Sequence, residues 1–192
     1  PWVQKKLIDK TITYLHDKLK TEIRIGNTKI DILNRVVLED VYIEDQKKDT
    51  ILNASKIKLN FNLSPFKILL GKYEIEEISL EDVYFKMQKN EGQSKYNFQF
   101  ILDAFKSKTK DETKSNNIDL NINDIYLSRV HFIKNSIVGG QKIDAYIEDG
   151  VIHVNKLDFD KEIIDIRSVD LRRPYIGFDD FTAKPLTNVN KT

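Results

Sequence analysis

The three histidines, His16, His131 and His153, are the side chains best suited to metal or proton chemistry, and the chain has no cysteine. Zinc needs His or Cys partners at short ligand spacing, and none of the three has one. His131 and His153 read as surface histidines at wet or edge positions of strands. Acidic pairs are more numerous. Glu39-Asp40, with Glu44-Asp45 and Asp49, offers the hard oxygens that calcium takes. The spacing is not that of an EF-hand. The competing reading is a solvated hairpin, with Asp49 bonding the backbone of its own turn. Asp179-Asp180 also reads as turn chemistry. There is no nucleophile elbow, phosphate-binding loop or dinucleotide fingerprint. The chain reads as a non-enzyme that needs no metal and no cofactor.

The acidic pairs also sit inside a repeat. The skeleton Leu33, Val36, Leu38, Val41, Ile43 returns as Ile75, Ile78, Leu80, Val83, Phe85. It returns again as Ile122, Ile125, Leu127, Val130, Phe132 and as Ile166, Val169, Leu171, Pro174, Ile176. The copies start 42, 47 and 44 residues apart. Glu39-Asp40 and Glu81-Asp82 occupy one point of this repeat, where the later copies carry Ser128-Arg129 and Arg172-Arg173. A catalytic carboxylate pair would not be exchanged for arginines between equivalent units. A polar irregularity in a strand tolerates the exchange.

Recurrence at a near-fixed period marks an array of equivalent units. Within each copy the steps are three, two, three and two. Steps of two are those of a strand with one apolar face. A step of three would turn the following side chains to the wrong face unless a bulge or tight bend restores them. The expected fold is therefore mainly β, a curved antiparallel repeat sheet with one apolar face.

Along the chain, residues 1–20 read as an N-terminal amphipathic helix, with Val3, Leu7, Ile8, Ile12, Leu15 and Leu19 on one face. Trp2 is placed to sit near a membrane interface. Residues 21–105 form the first β repeats. Gly26-Asn27 is a turn signal in them, and Ile57, Leu59, Phe61 and Leu63 alternate strictly with polar residues. A short helix is expected at 96–105. Residues 106–117 carry no apolar side chain and read as a flexible loop. Residues 118–181 resume the repeats, with Gly139-Gly140 and Asp149-Gly150 as hairpin turns. Residues 182–192 form a tail. Tyr73 to Met87 reads as two segments, and the whole as about 11 strands, about 50 Å across at 4.8 Å per strand. Pro174 implies an edge or a bend.

The 192 residues carry 31 Lys and Arg against 30 Asp and Glu, for a net charge of +1, which argues against nucleic acid. No apolar run is long enough for a membrane helix. The start at Pro1 and the unclosed end read as a segment of a longer chain.

Pro1-Trp2-Val3-Gln4, Thr21 to Gly26, Val37 to Asp45 running on to Asp49-Thr50-Ile51-Leu52, and Asn97 to Ile101 together resemble the N-terminal region of TamB-like translocation and assembly module proteins. These are of the Bacteroidota type, within the AsmA-like superfamily. The resemblance spans residues 1–105, and a looser pattern continues to 181. It implies an inner-membrane helix just before such a segment and a long periplasmic β-groove with an apolar floor, open like a taco. It also implies a C-terminal region that partners an Omp85-type outer-membrane barrel. The implied role is outer-membrane biogenesis, with phospholipid transport between the membranes. The family supplies no catalytic residue to carry over.

On this reading Ile57, Leu59, Phe61, Leu63, Leu80, Val83, Phe85, Leu127, Val130, Phe132, Leu171 and Ile176 line a groove that binds and conducts phospholipid acyl chains. The parent protein would be tethered to the inner membrane by an anchor outside this segment. Two alternatives stand beside it. One is a scaffold that binds outer-membrane barrel clients by adding their strands to an open edge. The other is a closed β-sandwich whose second sheet covers the apolar face.

Overall fold

The computed structural model describes residues 17, 19–30, 35–62, 73–105, 118–119, 121–137, 139–158 and 163–181. Most of the expected N-terminal helix, including Trp2, lies outside them, as do Leu33, Leu63, the loop 106–117 and the tail 182–192. Leu19 is described, and is buried.

The chain forms one mixed sheet. Its strands are β1 (Ile23–Ile30), β2 (Arg35–Glu44), β3 (Thr50–Asn62), β4 (Tyr73–Lys89), β5 (Ile118–Asp119), β6 (Asp124–Ser136), β7 (Gln141–Asp158) and β8 (Ile163–Asp180). A short helix, α1 (Gln99–Phe105), lies between β4 and β5. The sheet order is β1-β2-β3-β4-β6-β7-β8, with β5 paired to the start of β4. The sheet is open: β1 and β8 do not pair with each other. Among the described residues, every substantial contact between elements joins hydrogen-bonded neighbours, so no second sheet faces the first.

Three expectations need correcting. The strands are fewer and longer than the pattern implied. Tyr73–Lys89 is a single strand of 17 residues, not two segments, and β7 and β8 have 18 each. The seven strands in order span about 29 Å at 4.8 Å spacing, not about 50 Å. Second, the sheet is not wholly antiparallel, because β4 and β6 run parallel, Leu80 opposite Leu127 and Val83 opposite Val130. A parallel pair needs a crossover of a dozen or more residues, which here is the stretch holding α1 and β5. The 47-residue spacing between the second and third copies is the register of this pair.

Third, two of the three turn signals fall inside strands. Gly139-Gly140 does close the β6–β7 hairpin, with Gly140 at φ 61°. Gly26-Asn27 lies within β1 and Asp149-Gly150 within β7. A Cβ on Gly26 would lie 2.9 Å from the Cβ of Asp40 on β2, so that glycine serves a close approach between strands. Asp179-Asp180 likewise ends β8 rather than forming a turn.

The loop joining β2 to β3 is stapled by a different aspartate from the one expected. Asp45, not Asp49, accepts the backbone N–H groups of Lys47 and Asp49 at 2.7 and 2.9 Å. The Thr21 hydroxyl donates to the carbonyls of Glu44 and Asp45.

Candidate functional site

From Val36, Ile75, Ile125 and Ile166 onward the four skeleton copies lie on β2, β4, β6 and β8, which all point the same way. Their shared register builds rows across the sheet. One row is Leu38, Ile57, Leu80, Leu127, Gly150 and Leu171. The next is Ile25, Val41, Ala54, Val83, Val130, Ile147 and Pro174. Val41, Ala54, Val83, Leu127 and Val130 form the buried core, with Ile57, Leu80, Phe85 and Leu171 packed against it. Leu59 and Phe61 continue this face along β3, opposite Ile78 and Ile75. Phe85 stacks on Phe132 at 5.9 Å between ring centroids, and Phe98, just before α1, sits 6.3 Å from Phe85. Burial falls off sharply toward β8. Val83 is 3% exposed, while Val169, Ile176 and Phe178 are 50%, 59% and 58% exposed.

The two steps of three in the skeleton have different physical origins. The first is a bulge in two copies. Glu76 is the extra residue of β4 against β3, and Arg167 that of β8 against β7. The second involves no register shift. Asp40, Asp82, Arg129 and Arg173 take φ of 53°, 51°, 53° and 49°, the left-handed region. The residues opposite them are Gly26, Ser55 and Glu148, so all seven strands pass through one transverse line. The neighbouring strands take the same step of three, as Ile57 to Ala54 and Gly150 to Ile147 show. A left-handed L-residue costs about 1–3 kcal/mol and persists only where its surroundings impose it.

On the polar face, that line carries two charged rows. One runs Asp82, Arg129, Glu148, Arg173. The other runs Glu39, Lys56, Glu81, Ser128, Asp149, Arg172. Arg129 grips Asp82 through Nε and Nη2, the latter at 2.8 Å, and reaches Glu81. Lys56 donates to Glu81 at 3.1 Å and Lys29 to Glu39 at 2.6 Å. Arg172 bonds Asp149, and Arg173 bonds Glu148. An open depression of about 710 Å³ beside the rows is bordered by Lys58, Tyr126, Asp149, Asp170 and Arg172. The hydrogen bond from Arg129 holds Asp82 below the usual carboxylate range, and the one from Lys56 does so for Glu81. Lys29 and Asn27 do the same for Glu39.

These groups stabilise the fold at neutral pH, and the contribution fades as pH falls below their ordinary values of 4.5 for Glu and 3.8 for Asp. Solvent screening keeps it small. Arg129→Met removes the donor that lowers Asp82. Its melting temperature is expected to fall less than the parent's between pH 6 and pH 3.5. An equal fall in both proteins would show that the Arg129 pair is inert.

His131 bonds Asp144 at 2.8 Å and meets the Tyr84 ring edge-on. His153 lies between Asp124 at 2.6 Å and Asp170 at 3.3 Å, joining β6, β7 and β8. Both are partly exposed on the polar face. The pattern in sequence placed them at wet or edge positions but gave no sign of their aspartate partners, which lie 13 to 29 residues away. Among the described residues no group of three or more His, Cys, Asp or Glu is placed to hold a metal ion.

No protein-family model matches this chain, and no curated protein does.

Proposed function

We propose that this sheet is a segment of a lipid-handling surface, in which acyl chains of phospholipid lie on the apolar face and headgroups stay in water. The observation that carries the reading is the continuous set of apolar rows across seven strands, with no facing sheet among the described residues. Each buried CH₂ of an acyl chain contributes about 0.8 kcal/mol, so a few rows suffice to hold a chain. A floor of this kind has few directed polar contacts, so selectivity among tails is low. A span of about 29 Å is shorter than a bilayer of about 40–45 Å, so this segment would be one part of a longer path. Of the residues expected to line the groove, Val83, Leu127 and Val130 are buried in the core beneath it, and Ile57, Leu59, Phe61, Leu80, Phe85, Phe132, Leu171 and Ile176 are the ones that meet an acyl chain on this reading. The resemblance to TamB-like proteins supports an inner-membrane tether, a periplasmic location and a role in outer-membrane biogenesis. No step in this role needs catalysis.

Exposed positions give the cleanest test. Ile176 and Phe178 are on the apolar face and more than half exposed, so aspartates there leave the core intact. Phe85 is a poorer choice, because its ring packs on both Phe132 and Phe98. Protein purified from a Gram-negative host is expected to carry phospholipid, seen by solvent extraction and mass spectrometry. The Ile176→Asp/Phe178→Asp variant is expected to lose most of it. Folded parent protein with no lipid, or a variant that retains it in full, overturns the reading.

A further inference from the structure

The charged rows follow a rule inside the sheet. Lys56 lies between Glu39 and Glu81 in its row. Arg129 lies between Asp82 and Glu148 in the other. Each cation thus has an acid on both flanking strands. Arg172 and Arg173 break the rule. Their acids, Asp149 and Glu148, are both on β7. Nothing among the described residues lies on their other side, because β8 ends the strand order. Their side chains are 69% and 67% exposed, and each guanidinium has five N–H donors to offer.

Among the described residues, the outer edge of this 18-residue strand has no pairing partner. Bare edges of this length recruit further strands, and proteins usually blunt them. Here the blunting is partial. Pro174 removes one donor, and Arg167 bulges from the ladder. Val169, Ile176 and Phe178 nevertheless extend the apolar rows right up to the edge, half exposed.

We propose that the free edge of β8 docks an extended segment of a partner protein that sets two consecutive acidic residues, between apolar ones, opposite Arg172 and Arg173. Backbone bonds supply affinity in this mode, and alternate side chains supply specificity. The acids would complete the two rows, and the apolar residues would continue the greasy face. A second copy of this chain is the competing occupant: a twofold axis between Arg172 and Arg173 sets arginines against arginines, but one at Ile176 sets Asp180 and Asp179 opposite Arg172 and Arg173. The other edge, β1, offers Gly26 and Asn27 at the line, flanked by Arg24 and Lys29.

A labelled synthetic peptide of residues 141–158 carries such a pair, as Glu148-Asp149, with Ile147 before it and Ile152 after it on the apolar face. Binding to the intact chain is read by fluorescence anisotropy, and its location by hydrogen exchange. The peptide is expected to bind and to slow exchange of β8 amides. Its Glu148→Lys/Asp149→Lys form is expected to bind about tenfold more weakly at low salt, with the gap closing as salt rises. Changing only the peptide leaves the fold of the protein untouched. In the protein, Arg172→Ala/Arg173→Ala is expected to erase the preference between the two peptides. Equal binding by both peptides, no binding, or protection at β1 instead of β8 overturns the proposal. So does a concentration-dependent dimer that protects β8, since the occupant would then be a second copy. Peptide binding without any phospholipid would retire the lipid reading alone.

Discussion

Val83→Asp is expected to leave the chain unfolded at 25 °C, while Ile176→Asp, on the same face, leaves it folded. Val83 is 3% exposed, between Ala54 on β3 and Val130 on β6. Ala54 is fully buried, so β3 has no room to give. An aspartate there would be charged without a partner, or would hold a proton at a pH where the unfolded chain releases it. Either way the cost is about 4 kcal/mol or more, a large part of the about 5–15 kcal/mol that holds a domain together. Val83→Ala removes only transfer and packing energy and should cost about 2 kcal/mol. Ile176 lies three strands further along, 59% exposed, where an added charge remains in water. Circular dichroism and urea unfolding of the three variants separate these cases. A folded Val83→Asp variant would mean that the centre of the face is open to water and that the row through Val41, Val83 and Val130 is not the core.

The contrast shows what the sequence could and could not reveal. The skeleton on β2, β4, β6 and β8 was legible because Leu80, Val83 and Phe85 have large apolar counterparts in nearly every copy. The strands between them carry the same three-residue step but conceal it. On β3 the face position beside Val83 is Ala54. On β7 two face positions are Ala145 and Gly150, and on β1 one is Thr28. Small or polar residues at buried positions erase the periodicity on which the reading relied. Asp149-Gly150 has the composition of a hairpin turn, and its partners Leu127 and Leu171 are too distant in sequence to signal a strand instead. The step of three implies a bulge or a tight bend, and a bulge is what Glu76 and Arg167 form. At Asp40, Asp82, Arg129 and Arg173 the facing strand takes a matching step, and no single-strand pattern can reveal a line shared by seven strands.

That line also explains why arginine can replace aspartate in the repeat. Aspartate tolerates the left-handed region better than most residues, and arginine does not share that advantage. The exchange is offset by the partners it gains. Arg129 sits beside Asp82 in a parallel pair, so alternating the sign of charge along the row Asp82, Arg129, Glu148, Arg173 ties three of the four strained positions into a ladder of ion pairs. Single pairs of this exposure contribute little. Like charges at all four residues of that row would instead repel across each strand pair from β4 to β8. The charge alternation thus favours this order of strands over those that set like charges side by side.

Gly150→Val tests the other half of that specification. By strand preference alone the change should help, since valine favours strands and glycine does not. The geometry gives the opposite sign. A Cβ at residue 150 would lie 2.7 Å from Leu171 Cδ2, 3.0 Å from the Asp170 carbonyl oxygen and 3.4 Å from Ile147 Cγ2. Leu171 can rotate away at modest cost. The Asp170 oxygen belongs to the backbone of β8 and moves only if the strand does. Valine adds two methyl groups to that conflict, so a loss of about 3 kcal/mol is expected, at the upper end of overpacking costs. The damage should be local first, with faster amide exchange in β8 than in β3 or β4. Thr28→Val, in the same row but at the β1 edge, is the control and should be neutral or mildly stabilising. Urea unfolding gives the ranking. Should Gly150→Val match the parent within about 0.5 kcal/mol, a typical surface effect, the close approach of β7 and β8 would not be what requires glycine here.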